Sequence, residues 1–121
     1  MLELSSLEKT WMLDVDGTIL KHNGHLNGGD IVLDGVIEFF ENLDAKDKVI
    51  LLTARKEQHK ENLEIFLKNN KIRYDNIIYD MPFGERILVN DKKPSGLSTA
   101  YAINKERDGQ FIINYKINEK L

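Results

Sequence analysis

The feature that most constrains the fold is a continuous apolar run near the middle of the chain, Lys48 to Thr53 (KVILLT). Unbroken runs of β-branched residues and leucine are typical of strands covered on both faces, as in a parallel sheet. A second short run, Thr10 to Val15 (TWMLDV), ends in the turn-forming residues Asp-Gly-Thr. The two runs predict buried strands and favour an α/β fold.

Two segments that follow these runs have helical spacing. The first runs from Gly35 to about Leu43, with Asp34 as a plausible N-cap. The second runs from Lys56 to about Asn69 and is amphipathic. The apolar positions that define the two stripes are Val36, Phe39, Phe40 and Leu43 in the first segment, and Leu63, Phe66 and Leu67 in the second.

The second half of the chain predicts further short elements. We expect strands at Asn76–Tyr79 and Arg86–Asn90, a short helix from Ser98 to about Asn104, and a final edge strand at Gln110–Ile117. The alternating order predicts one α/β, doubly wound domain over residues 1–121, with a mainly parallel, Rossmann-like sheet flanked by helices.

Composition excludes several classes of protein. The chain has 121 residues and no cysteine, which rules out disulfide scaffolds, thiolate metal sites and cysteine nucleophiles. Its net charge of −3, from 17 basic and 20 acidic residues, makes nucleic acid an unlikely partner. No apolar run is long enough to cross a membrane, and we expect a cytoplasmic protein.

Polar side chains lie at the carboxyl ends of three predicted strands. Asp14 and Asp16 lie at the end of the first, Thr53 and Arg55 at the end of the second, and Asn90 and Asp91 at the end of Arg86–Asn90. In open α/β sheets the active site lies beyond the carboxyl ends of the strands. We therefore expect these groups to meet in one crevice.

The two aspartates suit phosphoryl transfer, although Asp and Gly also favour ordinary turns. One aspartate carboxylate can attack phosphorus and form an acyl-phosphate, and a second can act as general acid and base. Such a site needs a divalent cation, and Mg²⁺ prefers oxygen ligands. Asp91, paired with Asp14 across the crevice, would complete the magnesium site.

The stretch Leu51 to Arg55 (LLTAR) is the candidate phosphate-binding turn. The Thr53 hydroxyl and the backbone N–H groups of Ala54 and Arg55 can hold phosphate oxygens near a helix N-terminus. The alternative for Thr53 is a simple N-cap. The Arg55 side chain is a candidate bidentate ligand of substrate oxygens, or else an exposed residue at the start of a helix.

Three segments together resemble the haloacid dehalogenase (HAD) superfamily of phosphatases: DVDGT at 14–18, LLTAR at 51–55 and VNDKKP at 89–94. Their order and strand-end context agree over roughly residues 10–95. The resemblance implies that Asp14 is the nucleophile and a metal ligand, that Asp16 is the general acid/base and binds metal through its carbonyl, and that Asp91 is a metal ligand.

The family also uses a lysine or arginine that offsets the charge of the nucleophile and the phosphate. Several residues are open for this role: Lys71, Arg73, Arg86, Lys92 and Lys93. Lys93 is slightly favoured, because its loop must lie at the site if Asp91 does. Arg86, at the start of its strand, is expected at the opposite end of the sheet.

The intervals between the motifs leave no room for a cap domain. Only a hairpin-like flap fits, roughly Leu20 to Ile31, and it contains His22 and His25, which are either substrate contacts or exposed loop histidines. An open site would be covered by a neighbouring subunit, which predicts a homo-oligomer, or by a large substrate. The chain also resembles small phosphatases of bacterial capsule and polysaccharide biosynthesis.

We therefore expect a Mg²⁺-dependent phosphomonoester hydrolase that acts through an aspartyl-phosphate, with a sugar phosphate or a related small metabolite as substrate. Two alternatives remain open. One is a phosphatase of nucleic-acid ends, and the other is a phosphate- or Mg²⁺-binding regulatory module without turnover.

Overall fold

The computed structural model describes residues 1–121, with five short strands and two α-helices. The strands are β1 (Leu2–Leu4), β2 (Thr10–Asp14), β3 (Lys48–Leu52), β4 (Asn76–Ile78) and β5 (Tyr115–Ile117). The helices are α1 (Val36–Glu41) and α2 (Lys60–Asn69), and two single 3₁₀ turns lie at Gly24–Leu26 and Glu57–His59.

The larger sheet has the order β2-β3-β4, and both pairs are parallel. The prediction of an α/β fold with parallel strands is confirmed at this level. The ladder continues past the strand ends, where the Val15 N–H donates to the Leu52 carbonyl and the Thr53 N–H donates to the Ile78 carbonyl. The residues that follow β2 and β3 therefore emerge side by side at one edge.

The core lies between this sheet and the two helices, and it has 13 buried apolar residues. The helical stripes predicted from the sequence face it: Val36, Phe40, Leu43, Leu63 and Leu67 are buried, and Phe39 and Phe66 pack against them. The strands contribute Leu13, Val49 and Leu51. The two helices and the strands of this sheet thus share one apolar core.

The predicted N-cap of α1 is wrong by one residue. Gly35, not Asp34, occupies the cap position with a φ of 91°, and no side chain caps the helix. Position 35 has no room for a side chain, because a Cβ there would clash with the Phe111 carbonyl oxygen. The Asp34 carbonyl accepts a 2.7 Å hydrogen bond from the Phe111 N–H, which ties the C-terminal segment to this corner.

The predicted strand Arg86–Asn90 does not form. Its apolar side chains are exposed, and no neighbouring strand supplies the backbone hydrogen bonds that a strand requires. The predicted helix Ser98–Asn104 is also absent. Here the Asn90 side chain donates to the Thr99 carbonyl at 3.2 Å, so a side chain takes an acceptor that a helix would use.

The predicted final strand is shorter than expected and lies in a different sheet. Only Tyr115–Ile117 forms a strand, and it pairs in parallel with β1, which the sequence pattern did not predict. The preceding Phe111 is buried in the core.

The hairpin-like flap is present between Leu20 and Ile31. The Lys21 N–H donates to the Ile31 carbonyl at 2.9 Å, and the Leu33 N–H donates to the Ile19 carbonyl at 3.0 Å. The 3₁₀ turn Gly24–Leu26 lies at its tip. The flap therefore begins and ends beside the turn that follows β2.

Candidate functional site

A tight turn after β2 positions the first two candidate acids. The Val15 carbonyl accepts hydrogen bonds from the N–H groups of Thr18, Ile19 and Leu20, at 3.3, 3.1 and 3.0 Å. Gly17 has a φ of 85°, a conformation that favours glycine. The turn places Asp14 and Asp16 near the same face of the molecule.

Asp14 has a partly open carboxylate, and its side chain is 35% exposed. Oδ1 accepts a 2.8 Å hydrogen bond from Arg86 Nη1, and Oδ2 accepts a 3.0 Å hydrogen bond from the Thr18 hydroxyl. Two donors thus fix the carboxylate while it still faces solvent. The carboxylate is therefore accessible to a ligand in a defined orientation.

Asp16 is more enclosed and more fully bonded than Asp14. Its Oδ2 accepts a 3.1 Å hydrogen bond from the Thr53 hydroxyl. Arg55 donates to its Oδ1 through Nε at 3.1 Å and through Nη2 at 2.8 Å. The two predicted strand-end groups, Asp16 and Thr53/Arg55, therefore meet as expected.

The Arg55 side chain is only 2% exposed and also binds Asp30 at the base of the flap. Nη2 donates to Asp30 Oδ1 at 2.6 Å, and Nη1 donates to Oδ2 at 3.0 Å. Burial acts to lower the pKa of Arg55, but its hydrogen bonds to Asp30 and Asp16 raise the pKa above its ordinary value. The guanidinium is engaged by two carboxylates, in contrast to the expected contact with substrate oxygens.

Thr53 is fully buried, and its hydroxyl has two partners. It donates to Asp16 and accepts a 3.0 Å hydrogen bond from the Arg55 N–H. This hydroxyl is a link within the site, whereas Ala54 lies on the cavity surface. Because the Thr53 hydroxyl hydrogen is already donated to Asp16, it is not free to bind a phosphate oxygen as predicted.

A cavity of about 350 Å³ lies in front of Asp14 and Asp16. Its volume is within the range of small-molecule sites, about 300–1,000 Å³. Its lining includes residues of the flap, and also Pro82 and Phe83. The basic and imidazole side chains on its surface, apart from Arg55, are Lys56, Arg86, Arg107, His22, His25 and His59. Such a lining suits an anionic ligand.

The flap histidines face this cavity. His25 Nδ1 lies 4.0 Å from Asp16 Oδ1, and the rings of His25 and His59 are 5.0 Å apart at an angle of 76°. Burial and the charge of Arg55 lower the pKa of His25, although Asp16 and Asp30 act in the opposite direction. The Nδ1 atoms of His22 and His25 are buried without a hydrogen-bond partner.

The structure does not bring Asp91 to the cavity, contrary to the expected convergence. Asp91, Lys92 and Lys93 lie on the exposed segment that follows residue 85, and none of them lines the cavity. No group of three or more His, Cys, Asp or Glu side chains is arranged to hold a metal ion. The residues present therefore do not form the predicted magnesium site of Asp14, Asp16 and Asp91.

Lys93, the favoured candidate for the charge-offsetting cation, also lies away from the cavity. Arg86, expected at the opposite end of the sheet, contacts Asp14, while Lys93 does not. Arg86 lines the cavity together with Pro82, Phe83 and Gly84, and the strand predicted from Arg86 to Asn90 does not form. Arg73 donates to the Asp47 and Asp44 carbonyls at the amino end of β3, and Lys71 lies in the turn after α2. Neither is near the cavity.

Residues 105–108 contact the turn after β2 and the flap, which the sequence analysis did not predict. The Asp108 N–H donates to the Gly17 carbonyl at 2.9 Å, and its side chain accepts a 2.7 Å hydrogen bond from the His22 N–H. Lys105 Nζ lies 3.3 Å from the Gly17 carbonyl, and burial lowers the pKa of this lysine. The charged cluster and the Asp-Gly pair in KERDG were the available signal.

Comparisons with known proteins give no support for an assignment. No family model, no curated protein and no solved structure matches the chain significantly. No helix combines the length and the apolar character that spanning a membrane requires.

Proposed function

We propose that the chain is a phosphomonoester hydrolase in which Asp14 is the nucleophile. The observation on which this depends is a partly exposed carboxylate, held by Arg86 and Thr18, in a cavity lined by basic and imidazole groups. An isolated surface aspartate would not have this setting. Two of the motifs that resemble HAD phosphatases, DVDGT and LLTAR, contribute residues to this cavity and support the same chemistry.

In the first step an Asp14 oxygen attacks the phosphorus of a phosphate monoester. The new bond joins Asp14 to phosphorus, and the bond from phosphorus to the alcohol oxygen breaks. Asp16 supplies a proton to that oxygen, and the alcohol leaves. Cationic side chains near Asp14, Arg86 and Arg107 among them, would offset the negative charge on the phosphoryl oxygens.

In the second step Asp16 takes a proton from water, and the water oxygen attacks the aspartyl-phosphate. The bond between Asp14 and phosphorus breaks, which releases inorganic phosphate and restores both carboxyl groups. Both oxygens of Asp16 accept hydrogen bonds from Arg55 and Thr53. One of these hydrogen bonds to Asp16 therefore breaks in either proton transfer.

The substrate we propose is a small phosphorylated metabolite, with a sugar phosphate as the first choice. A cavity of about 350 Å³ accommodates a small molecule. Phosphate and hydroxyl groups suit its polar lining. The homo-oligomer expected from the absence of a cap domain remains part of the proposal.

The magnesium requirement predicted from the motifs is a separate proposal. Asp14 and Asp16 face the cavity, but Asp91 lies on an exposed segment, so the ligand set is incomplete. The two steps above therefore use protein side chains alone. Adding Mg²⁺ or a chelator to the assay tests the requirement directly.

The test is hydrolysis of an aryl phosphate, followed by a panel of sugar phosphates, nucleotides and phosphorylated oligonucleotides. Asp14→Asn should reduce turnover to background, because its side chain cannot form the acyl-phosphate. Asp34→Asn is the matched control, since it removes one carboxylate from an exposed position. Turnover that does not depend on Asp14 would contradict the proposal.

One observation favours a second candidate, a phosphate-binding module without turnover. Asp16 is fully bonded to Arg55 and Thr53, which leaves no oxygen free for proton transfer. Titration calorimetry with inorganic phosphate distinguishes the two functions. Binding that Arg107→Ala weakens, together with no hydrolysis across the panel, would establish the module.

A further inference from the structure

Arg55 joins two parts of the molecule that are distant in sequence. One edge of its guanidinium binds Asp16, which follows β2, and its terminal nitrogens bind Asp30 at the end of the flap. The Asp30 side chain is only 8% exposed, and Arg55 is its hydrogen-bond partner. Charged, bidentate pairs of this kind fix orientation as well as position.

The flap has few other anchors. Gly24 is its one buried residue between positions 21 and 30, and the apolar side chain at its tip, Leu26, is 63% exposed. Its other links to distant segments are the hydrogen bond from the His22 N–H to Asp108 and the contact between the His25 and His59 rings. The His22 and His25 rings face the cavity with buried nitrogens that have no partner. Apolar packing therefore does not hold this wall of the cavity in place.

We infer that Asp30 is a positioning residue: through Arg55 it holds the flap closed as one wall of the cavity and fixes the orientation of Asp16. A flap tethered in this way covers one side of the cavity from within the chain. The tether is a property of the fold, and only its effect on catalysis rests on the proposed function.

The first test measures the tether without any assay of activity. Amide hydrogen exchange is followed in the full chain for wild type, Asp30→Asn and the control Asp34→Asn. The amides that report flap closure are those of Lys21, Leu26 and Gly29, which are bonded within the flap. Asp30→Asn should speed their exchange by about tenfold or more, since hydrogen bonds to charged groups are among the stronger ones. Amides of β3 should change little.

Asp30→Glu tests whether the negative charge at position 30 is what holds the flap. It keeps the carboxylate, so it should restore part of the protection that Asp30→Asn removes. Arg55→Lys provides a second route, because an ammonium cannot bind two carboxylates with the planar geometry of a guanidinium. Flap exchange that is unchanged in Asp30→Asn and Arg55→Lys would overturn the inference.

The kinetic test uses the same variants with an aryl phosphate. Asp30→Asn should lower kcat because Asp16 loses its fixed orientation, and should raise KM because the flap wall loosens, while Asp34→Asn changes neither. An unchanged kcat with faster flap exchange would overturn the role of Asp30 in orienting Asp16. If no protein in the series hydrolyses the aryl phosphate or any ester of the panel, the proposed function fails, and the exchange experiment still decides whether the tether exists.

Discussion

The strand β3 and the segment 86–90 have the same kind of sequence but opposite surroundings. KVILL forms the central strand of the larger sheet, with β2 on one side and β4 on the other, and its Val49 and Leu51 are fully buried. RILVN has no neighbouring strand, and its Val89 is 89% exposed. An apolar β-type run becomes a strand only where neighbours supply backbone hydrogen bonds and a covered face.

The comparison extends to the two regions that contain these runs. Residues 1–80 contain four of the five strands, both helices and every buried residue except Phe111. Residues 81–104 contain no helix or strand and no buried residue. The first region builds the site, and the second adds side chains to its rim.

The largest expected effect is on stability and comes from the arginines of the two regions. Arg55→Ala leaves Asp16 and Asp30 poorly exposed without their cation, so it should lower the free energy of unfolding by about 3–5 kcal/mol. Arg86→Ala removes a pair whose side chains are both more than a third exposed, and should cost no more than ~1 kcal/mol. Urea unfolding measures both.

Equal losses in the free energy of unfolding for Arg55→Ala and Arg86→Ala would contradict the contrast between the buried first region and the exposed second region. Arg86→Ala should nevertheless lower hydrolysis of the aryl phosphate, because Arg86 contacts Asp14.

The second prediction concerns the predicted magnesium site, which combines Asp14 and Asp16 of the first region with Asp91 of the second. If the motif is correct, Asp91→Asn should weaken stimulation by Mg²⁺ by at least about tenfold to a hundredfold, since even indirect support of a metal ligand has effects of that size. A Mg²⁺ titration of hydrolysis in wild type, Asp91→Asn and Asp34→Asn measures the change.

Weaker stimulation by Mg²⁺ in Asp91→Asn would mean that residues 86–91 leave their exposed arrangement and reach the cavity, so the two regions would not differ as described. An unchanged response to Mg²⁺ would support the difference between the regions and would contradict the predicted ligand role of Asp91.

The third prediction uses two valines in matched sequence settings. Val49→Ala removes methyl groups from the core and should lower the free energy of unfolding by about 2 kcal/mol. Val89→Ala changes an exposed side chain and should stay within ~0.5 kcal/mol. Chemical denaturation gives both values, and a large loss for Val89→Ala would show that residue 89 is buried in solution.

Local sequence pattern was sufficient for much of the first region. The runs at Thr10–Val15 and Lys48–Thr53 predicted β2 and β3, and helical spacing predicted α1 and α2. Because parallel strands end at one edge, it also predicted that Asp14 and Asp16 would lie near Thr53 and Arg55. These features depend on periodicity and on the direction of strands, which a single sequence records.

The remaining features depend on contacts that local spacing does not record. Asp30 and Asp108 meet the site through the flap and through a return of the chain from residue 105. Gly35, at the cap of α1, lies directly against the backbone of Phe111, which is far away in sequence. The segment 86–90 has a strand-like sequence, but its state depends on whether an edge of the sheet is available to it.

The smallest expected effect is the pH dependence that arises from burial of His25 in the first region. Burial, followed by the charge of Arg55, lowers the pKa of His25 below its ordinary value of 6.5 in the folded chain. As the pH falls through that ordinary value, the unfolded chain takes up a proton that the folded chain does not, so the folded state loses stability. His25→Asn removes this contribution. Its free energy of unfolding should therefore fall less than that of wild type between about pH 7.5 and about pH 5.5. If the free energy of unfolding changes equally with pH in the two proteins, His25 is exposed to water in the folded chain. The flap would then not form a closed wall of the cavity, and the inferred role of Asp30 would be contradicted.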